Sequence, residues 1–166
     1  MAQGIQRING TPEFRHPVVA KNSEVFAEGS PVTVDSSGFL AVASSSGEKI
    51  FGFCLRGFTA LSTNQTGSGV QTTDSAAARF GPPIVGPKGV YFWADSDLAY
   101  TDTDTGAYAD VASASSGVVT LNLAAGGTGQ FFVTGLLSDT DPSAEGDTDR
   151  IVVTVAEPQD YAWTQD

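Results

Sequence analysis

Short apolar runs, many of them alternating with polar residues, recur along the whole chain. Val119-Thr120-Leu121-Asn122-Leu123 has a period of two, the signature of a half-buried strand. Pro31-Val32-Thr33-Val34 leads into Asp35-Ser36-Ser37-Gly38 and then Phe39-Leu40-Ala41-Val42-Ala43. The central four residues are turn formers, with a Gly able to take positive φ, so residues 25–43 predict a hairpin. A further strand is expected within residues 48–60, around Ile50-Phe51-Gly52-Phe53-Cys54-Leu55, where Gly52 and Gly57 suggest bulges or close backbone approach. Val90–Ala94, Phe131–Leu137 and Ile151–Val155 complete the strong strand signals. Leu98-Ala99-Tyr100 and Tyr108-Ala109-Asp110-Val111 flank an acidic turn at residues 101–106. The pattern predicts eight to ten short strands and almost no helix.

Composition agrees. Gly, Ser and Thr number 19, 16 and 17 of 166 residues, against 8 Leu, which favours β-structure with frequent turns over helices. The expected fold is all-β, a small β-barrel or β-sandwich with an extended N-terminal arm. Residues 1–22 form that arm, 23–156 the β-barrel domain and 157–166 a C-terminal tail. The arm carries isolated apolar anchors, Ile5, Ile8, Phe14, Val18 and Val19, and its Pro12 and Pro17 disfavour helix. Such a segment either frays or docks on another surface, and its apolar anchors favour docking. Trp163 and Tyr161 give the tail the same character. Residues 62–89, rich in Gly and Pro, read as a long irregular connection with contacts to a partner or a neighbouring copy.

Charge changes the picture. Lys+Arg is 8 and Asp+Glu 19, a net of −11. Residues 1–94 hold six acids and seven bases; residues 95–166 hold thirteen acids and one base, Arg150. Acidic turns that keep a β-fold soluble account for this asymmetry; the alternative is a near-neutral contact face and a solvent face that repels anions. Direct nucleic-acid binding is not expected, because phosphate contacts need clustered cations. No apolar run approaches the ~20 residues of a membrane-spanning helix, and residues 1–7 lack the apolar core of a signal peptide. The expectation is synthesis in a cytoplasm without membrane partners.

Candidate chemistry is sparse. One Cys and one His exclude an internal disulfide and a Cys/His zinc cluster. His16 is the only imidazole available to a Ser or Cys nucleophile, and no Gly-x-Ser-x-Gly elbow occurs. Gly126-Gly127-Thr128-Gly129 lacks the Lys and helix of a phosphate loop and reads as a hairpin turn. Cys54, between Phe53 and Leu55, reads as a small buried hydrophobe. Acidic turns such as Asp102-Thr103-Asp104 and Asp147-Thr148-Asp149 alternate carboxylates, but the twelve-residue calcium loop with its closing Glu is missing. No catalytic, cofactor or metal residues are assigned. The aromatics Tyr91, Phe92, Trp93, Phe131 and Phe132 leave a sugar platform as an alternative, although alternate residues of a strand point inward.

One stretch carries a resemblance. Phe26-Ala27-Glu28-Gly29-Ser30-Pro31-Val32-Thr33-Val34-Asp35-Ser36-Ser37-Gly38-Phe39-Leu40-Ala41-Val42-Ala43, followed by Ile50-Phe51-Gly52-Phe53-Cys54, resembles the capsid decoration (cement) proteins of tailed bacteriophages, especially small β-rich ones from phages of actinobacteria. Residues 129–136 and 151–155 look similar too, so the likeness spans roughly residues 18–156. It implies a structural, non-enzymatic protein on the outer surface of the virion capsid. Its partners would be the major capsid protein and itself, as a homotrimer at three-fold positions, stabilising the shell. Ile5, Ile8, Phe14, Val18 and Trp163 are the expected capsid or inter-subunit contacts. The alternatives are a phage tail or fibre component, or a carbohydrate- or surface-binding β-module.

Overall fold

A computed structural model of the chain describes residues 5–11, 13–15, 18–60, 81–115, 118–123, 129–137 and 149–156, apart from the side chains of residues 6, 8 and 115. The fold is all-β, as expected. The first strands are β1 (Gln6–Asn9), β2 (Phe14–Arg15), β3 (Val25–Phe26), β4 (Pro31–Val34), β5 (Leu40–Val42), β6 (Gly52–Cys54), β7 (Phe58–Thr59) and β8 (Ile84–Val85). They are followed by β9 (Tyr91–Ser96), β10 (Tyr108–Ser115), β11 (Val118–Asn122), β12 (Phe131–Leu136) and β13 (Arg150–Val155).

The later strands close a barrel. β9 pairs with β11, β11 with β10, β10 with β12, β12 with β13, and β13 returns to β9. Only β9–β11 is parallel. Alternation sorts the side chains: Phe92 and Ala94, Val119 and Leu121, Phe131 and Val133, and Ile151 and Val153 are buried in one core. A register shift between Val111 and Ser113 leaves Ala112 and Ser113 both exposed and returns Ala114 to the core side. That is a bulge re-aiming a long strand so that the sheet can close.

The earlier strands build an open sheet ordered β2-β8-β6-β4-β5 and a separate β3–β7 ribbon. The predicted hairpin is β4–β5. The Asp35 carboxylate accepts the backbone N–H groups of Ser37 (2.9 Å) and Phe39 (3.1 Å), and Gly38 takes φ +83°. β6 is buried along its whole length because it lies between two cores. Phe53 joins the barrel core, whereas Cys54 joins a second core with Phe26, Val32, Leu40, Phe51 and Ile84. Gly52 is required there, since a Cβ would lie 2.5 Å from the Val85 carbonyl oxygen.

Three expectations are corrected. Leu98–Tyr100 is not a strand. Side chains take its backbone groups: the Tyr100 N–H donates to the Asp149 carboxylate (2.6 Å), and the Leu98 carbonyl accepts from the Ser96 hydroxyl (2.6 Å). Residues 84–85 lie inside the expected irregular connection, yet β8 sits between β2 and β6. Two residues flanked by Pro82-Pro83 and Gly86-Pro87 give no readable period. β1 pairs with β9 and β2 with β8, so described parts of the expected arm belong to the sheets. Residues 61–80, 124–128 and 157–166 lie outside the described residues.

Candidate functional site

Apolar side chains of β6, β8 and β9 converge beside Ile5, with Arg7 and Glu28 at their edge. The row Phe14–Val85–Phe53–Pro31 runs across the open sheet by strand register. Phe53 at its centre packs on Phe92 (ring centroids 4.2 Å) and Phe131 (6.4 Å), filling one end of the barrel. Beside this contact a cleft of about 180 Å³ opens, walled by Ile5, Phe53, Leu55, Val85 and Phe92, with Arg7 and Glu28 also on its lining. Backbone bonds fix its floor: the Ile5 N–H donates to Gly29 (3.1 Å), Gly29 to Cys54 (2.9 Å), and Leu55 to Pro83 (3.0 Å).

Leu55 remains 41% exposed at the lip, and Phe14, strand partner of the wall residue Val85, is 69% exposed. Large apolar side chains left in water cost free energy, which makes Phe14 and Leu55 candidates for a contact surface. Arg7 donates from Nη1 to the Gly10 carbonyl (2.7 Å) and stays exposed, and exposed Arg56 follows Leu55. The surface thus lies on the near-neutral part of the chain. Cys54 lines the cleft as well, but burial pushes its thiol up to about 12 and keeps it protonated near neutrality.

The expected contact residues separate. Ile5 (4% exposed) and Val18 (5%) lie in the cores of this chain, because the residue before β1 and the segment after Pro17 pack against the sheets. Phe14 is at the surface. Ile8 lies at the register shift in β1 between Arg7 and Asn9. Trp163 lies outside the described residues. Sequence reading placed Leu55 in the strand expected within residues 48–60 and did not single it out.

Two other polar arrangements serve the fold. The buried Gln130 side chain accepts the Val111 N–H (2.8 Å) and donates to the carbonyls of Ser45 (3.1 Å) and Glu48 (2.5 Å), tying the barrel to the β5–β6 loop. On the barrel exterior, Arg150 lies 4.7 Å over the Trp93 ring and 3.6 Å from Asp95. The Asp104 carboxylate accepts the Thr101 N–H (2.6 Å), so that acidic turn is organised by its own backbone. Among the described residues, no group of three or more His, Cys, Asp and Glu is placed to hold a metal ion. Among the aromatics of the sugar-platform alternative, Phe92 and Phe131 point into the core, while Tyr91 is exposed and Trp93 and Phe132 are half-buried. No family model, curated protein or solved structure matches this chain.

Proposed function

We propose that this chain is a structural decoration protein that binds the outside of a phage head and stabilises the shell, acting as a trimer on the major capsid protein. The observation that carries the reading is the apolar surface of Phe14 and Leu55 on the near-neutral part of an otherwise acidic chain. It joins the resemblance over residues 26–54, a segment that supplies β4, β5 and β6. β2 is a two-residue edge strand with an exposed aromatic, a form suited to lying along a neighbouring chain or extending its sheet. The acidic barrel would then face outward, repelling other particles. Multivalency makes weak single contacts sufficient, since three linked copies engage three sites together.

Cosedimentation with undecorated shells of the major capsid protein tests this. The full chain saturates the shells at a fixed stoichiometry, and Phe14→Asp weakens binding about tenfold while the melting temperature stays within about 2 °C. Failure of the full chain to bind shells overturns the reading. Retention on a glycan column, or location on tails in particle images, assigns the chain to one of the alternatives instead.

A further inference from the structure

We propose that Asn9–Gly10 is a self-modification site, where the Asn9 carboxamide condenses with the Gly10 backbone nitrogen and the residue becomes aspartate or isoaspartate. Asn is followed by Gly only here in the chain; Asn22, Asn64 and Asn122 precede Ser, Gln and Leu. Glycine matters because no Cβ stands beside the attacking nitrogen. The fold presents the pair for reaction. Asn9 is exposed at the end of β1, so water reaches its side chain. The Gly10 N–H donates to Asn9 Oδ1 (2.7 Å), which holds the carboxamide against that nitrogen. Gly10 takes φ +100° just beyond the strand, and the register of β1 on β9 shifts between Arg7 and Asn9, so the pair sits where the regular ladder ends.

The step needs only water. The Gly10 nitrogen loses its proton and bonds to Asn9 Cγ; the bond from Cγ to Nδ2 breaks, and ammonia leaves with the proton. The succinimide then takes up water. Opening at Cγ gives aspartate, and opening at the main-chain carbonyl carbon gives isoaspartate, whose backbone runs through Cβ and Cγ. Nothing is oxidised or reduced. The surroundings separate the two products. A Cβ on Gly10 would lie 2.4 Å from the Gly89 carbonyl oxygen, and the Gly10 carbonyl accepts from Arg7 Nη1 (2.7 Å). Isoaspartate lengthens the backbone by one carbon and so cannot keep both this close crossing and the pairing of Asn9 with Tyr91. Aspartate keeps the backbone and adds a negative charge two residues from exposed Arg7. This inference stands apart from the capsid reading and needs no shell.

The test incubates the folded full chain at mildly alkaline pH and then digests it with trypsin, which releases residues 8–15 as one peptide between Arg7 and His16. That peptide is expected to gain about 1 Da, with the aspartate and isoaspartate forms resolved by chromatography. The rate rises with pH, because the deprotonated nitrogen attacks, and is independent of protein concentration. Asn22 and Asn122 convert at least about tenfold more slowly, since side chains follow them. Asn9→Gln abolishes the mass gain over the same period. Amides of β1 exchange faster in the isoaspartate form, whereas the Asn9→Asp variant keeps their protection. An unchanged 8–15 peptide in the folded chain, under conditions that convert the same synthetic peptide in solution, overturns the proposal. So does earlier conversion at Asn22 or Asn122.

Discussion

The barrel and the open sheet solve the problem of strand edges differently. The five barrel strands run five to eight residues and each has a partner on both sides, so closure removes exposed edges. The open sheet uses strands of two to four residues and must deal with each edge locally. On the β5 side, Lys21 donates to the Leu40 carbonyl (2.8 Å), Leu40 donates to the Val19 carbonyl (2.8 Å), and the Glu24 carboxylate accepts the Val42 N–H (3.1 Å). On the β2 side, an exposed Phe14 stands at the last strand instead. The closed half is also the acidic half. Exposed large apolar side chains occur on both parts: Phe14, Val25 and Leu55 on the part with short strands, and Tyr91, Leu98, Val118 and Leu136 on or beside the barrel.

The strongest way to break this division is to remove the residue shared by both parts. Phe53→Ala is expected to cost about 3–5 kcal/mol, as for other large core aromatics. A single cooperative urea transition shifted to lower midpoint shows that the two cores unfold together. Two separated transitions show that the barrel stands without the open sheet.

High pH probes the second core selectively. The folded-state thiol of Cys54 is raised from 9.0 to about 12, so the unfolded chain loses its proton first. The stabilisation is complete below pH 9 and is lost as pH rises from 9 to 12, with a slope of about 1.4 kcal/mol per pH unit within that window. Cys54→Ala flattens this part of the stability profile relative to the wild type; an unchanged slope contradicts the burial argument.

A smaller effect is expected from the polar tie between the parts. Gln130→Ala leaves the Val111 N–H and two carbonyls without their partner and costs about 1–3 kcal/mol. Hydrogen exchange checks it: the Val111 amide exchanges faster, whereas amides of the β4–β5 turn do not. The smallest effect belongs to the barrel exterior. Arg150→Ala removes a half-exposed ring contact and a 3.6 Å ion pair, costing about 0.5–1 kcal/mol, and thermal melts show a shift of a few degrees at most.

Much of the β-structure was legible because the signals are local. The turn Asp35–Gly38 needs an acceptor side chain and a residue tolerant of positive φ, and both are written in four consecutive letters. The alternation of residues 119–123 likewise follows from a one-sided burial that repeats every second residue. β8 was not legible, since two residues between prolines have no period. The site was less legible than the fold. Phe14 stood out as an apolar residue in a polar segment and is exposed, but Ile5 and Val18 carry the same local signal and are core. Leu55 adjoins a buried strand in sequence yet lies at the lip of the cleft.

The sequence by itself determined an all-β chain, the position of most strands and the uneven distribution of charge, because turn chemistry, period-two burial and formal charge are properties of neighbouring residues. Only the tertiary structure decided that the barrel closes through β9 and β13, that Phe53 fills its end, and which apolar residues of the first 22 remain at the surface. Those outcomes depend on pairings between residues far apart in the chain, such as Gln6 of β1 with Trp93 of β9. No local pattern encodes which distant strand will cover a given side chain.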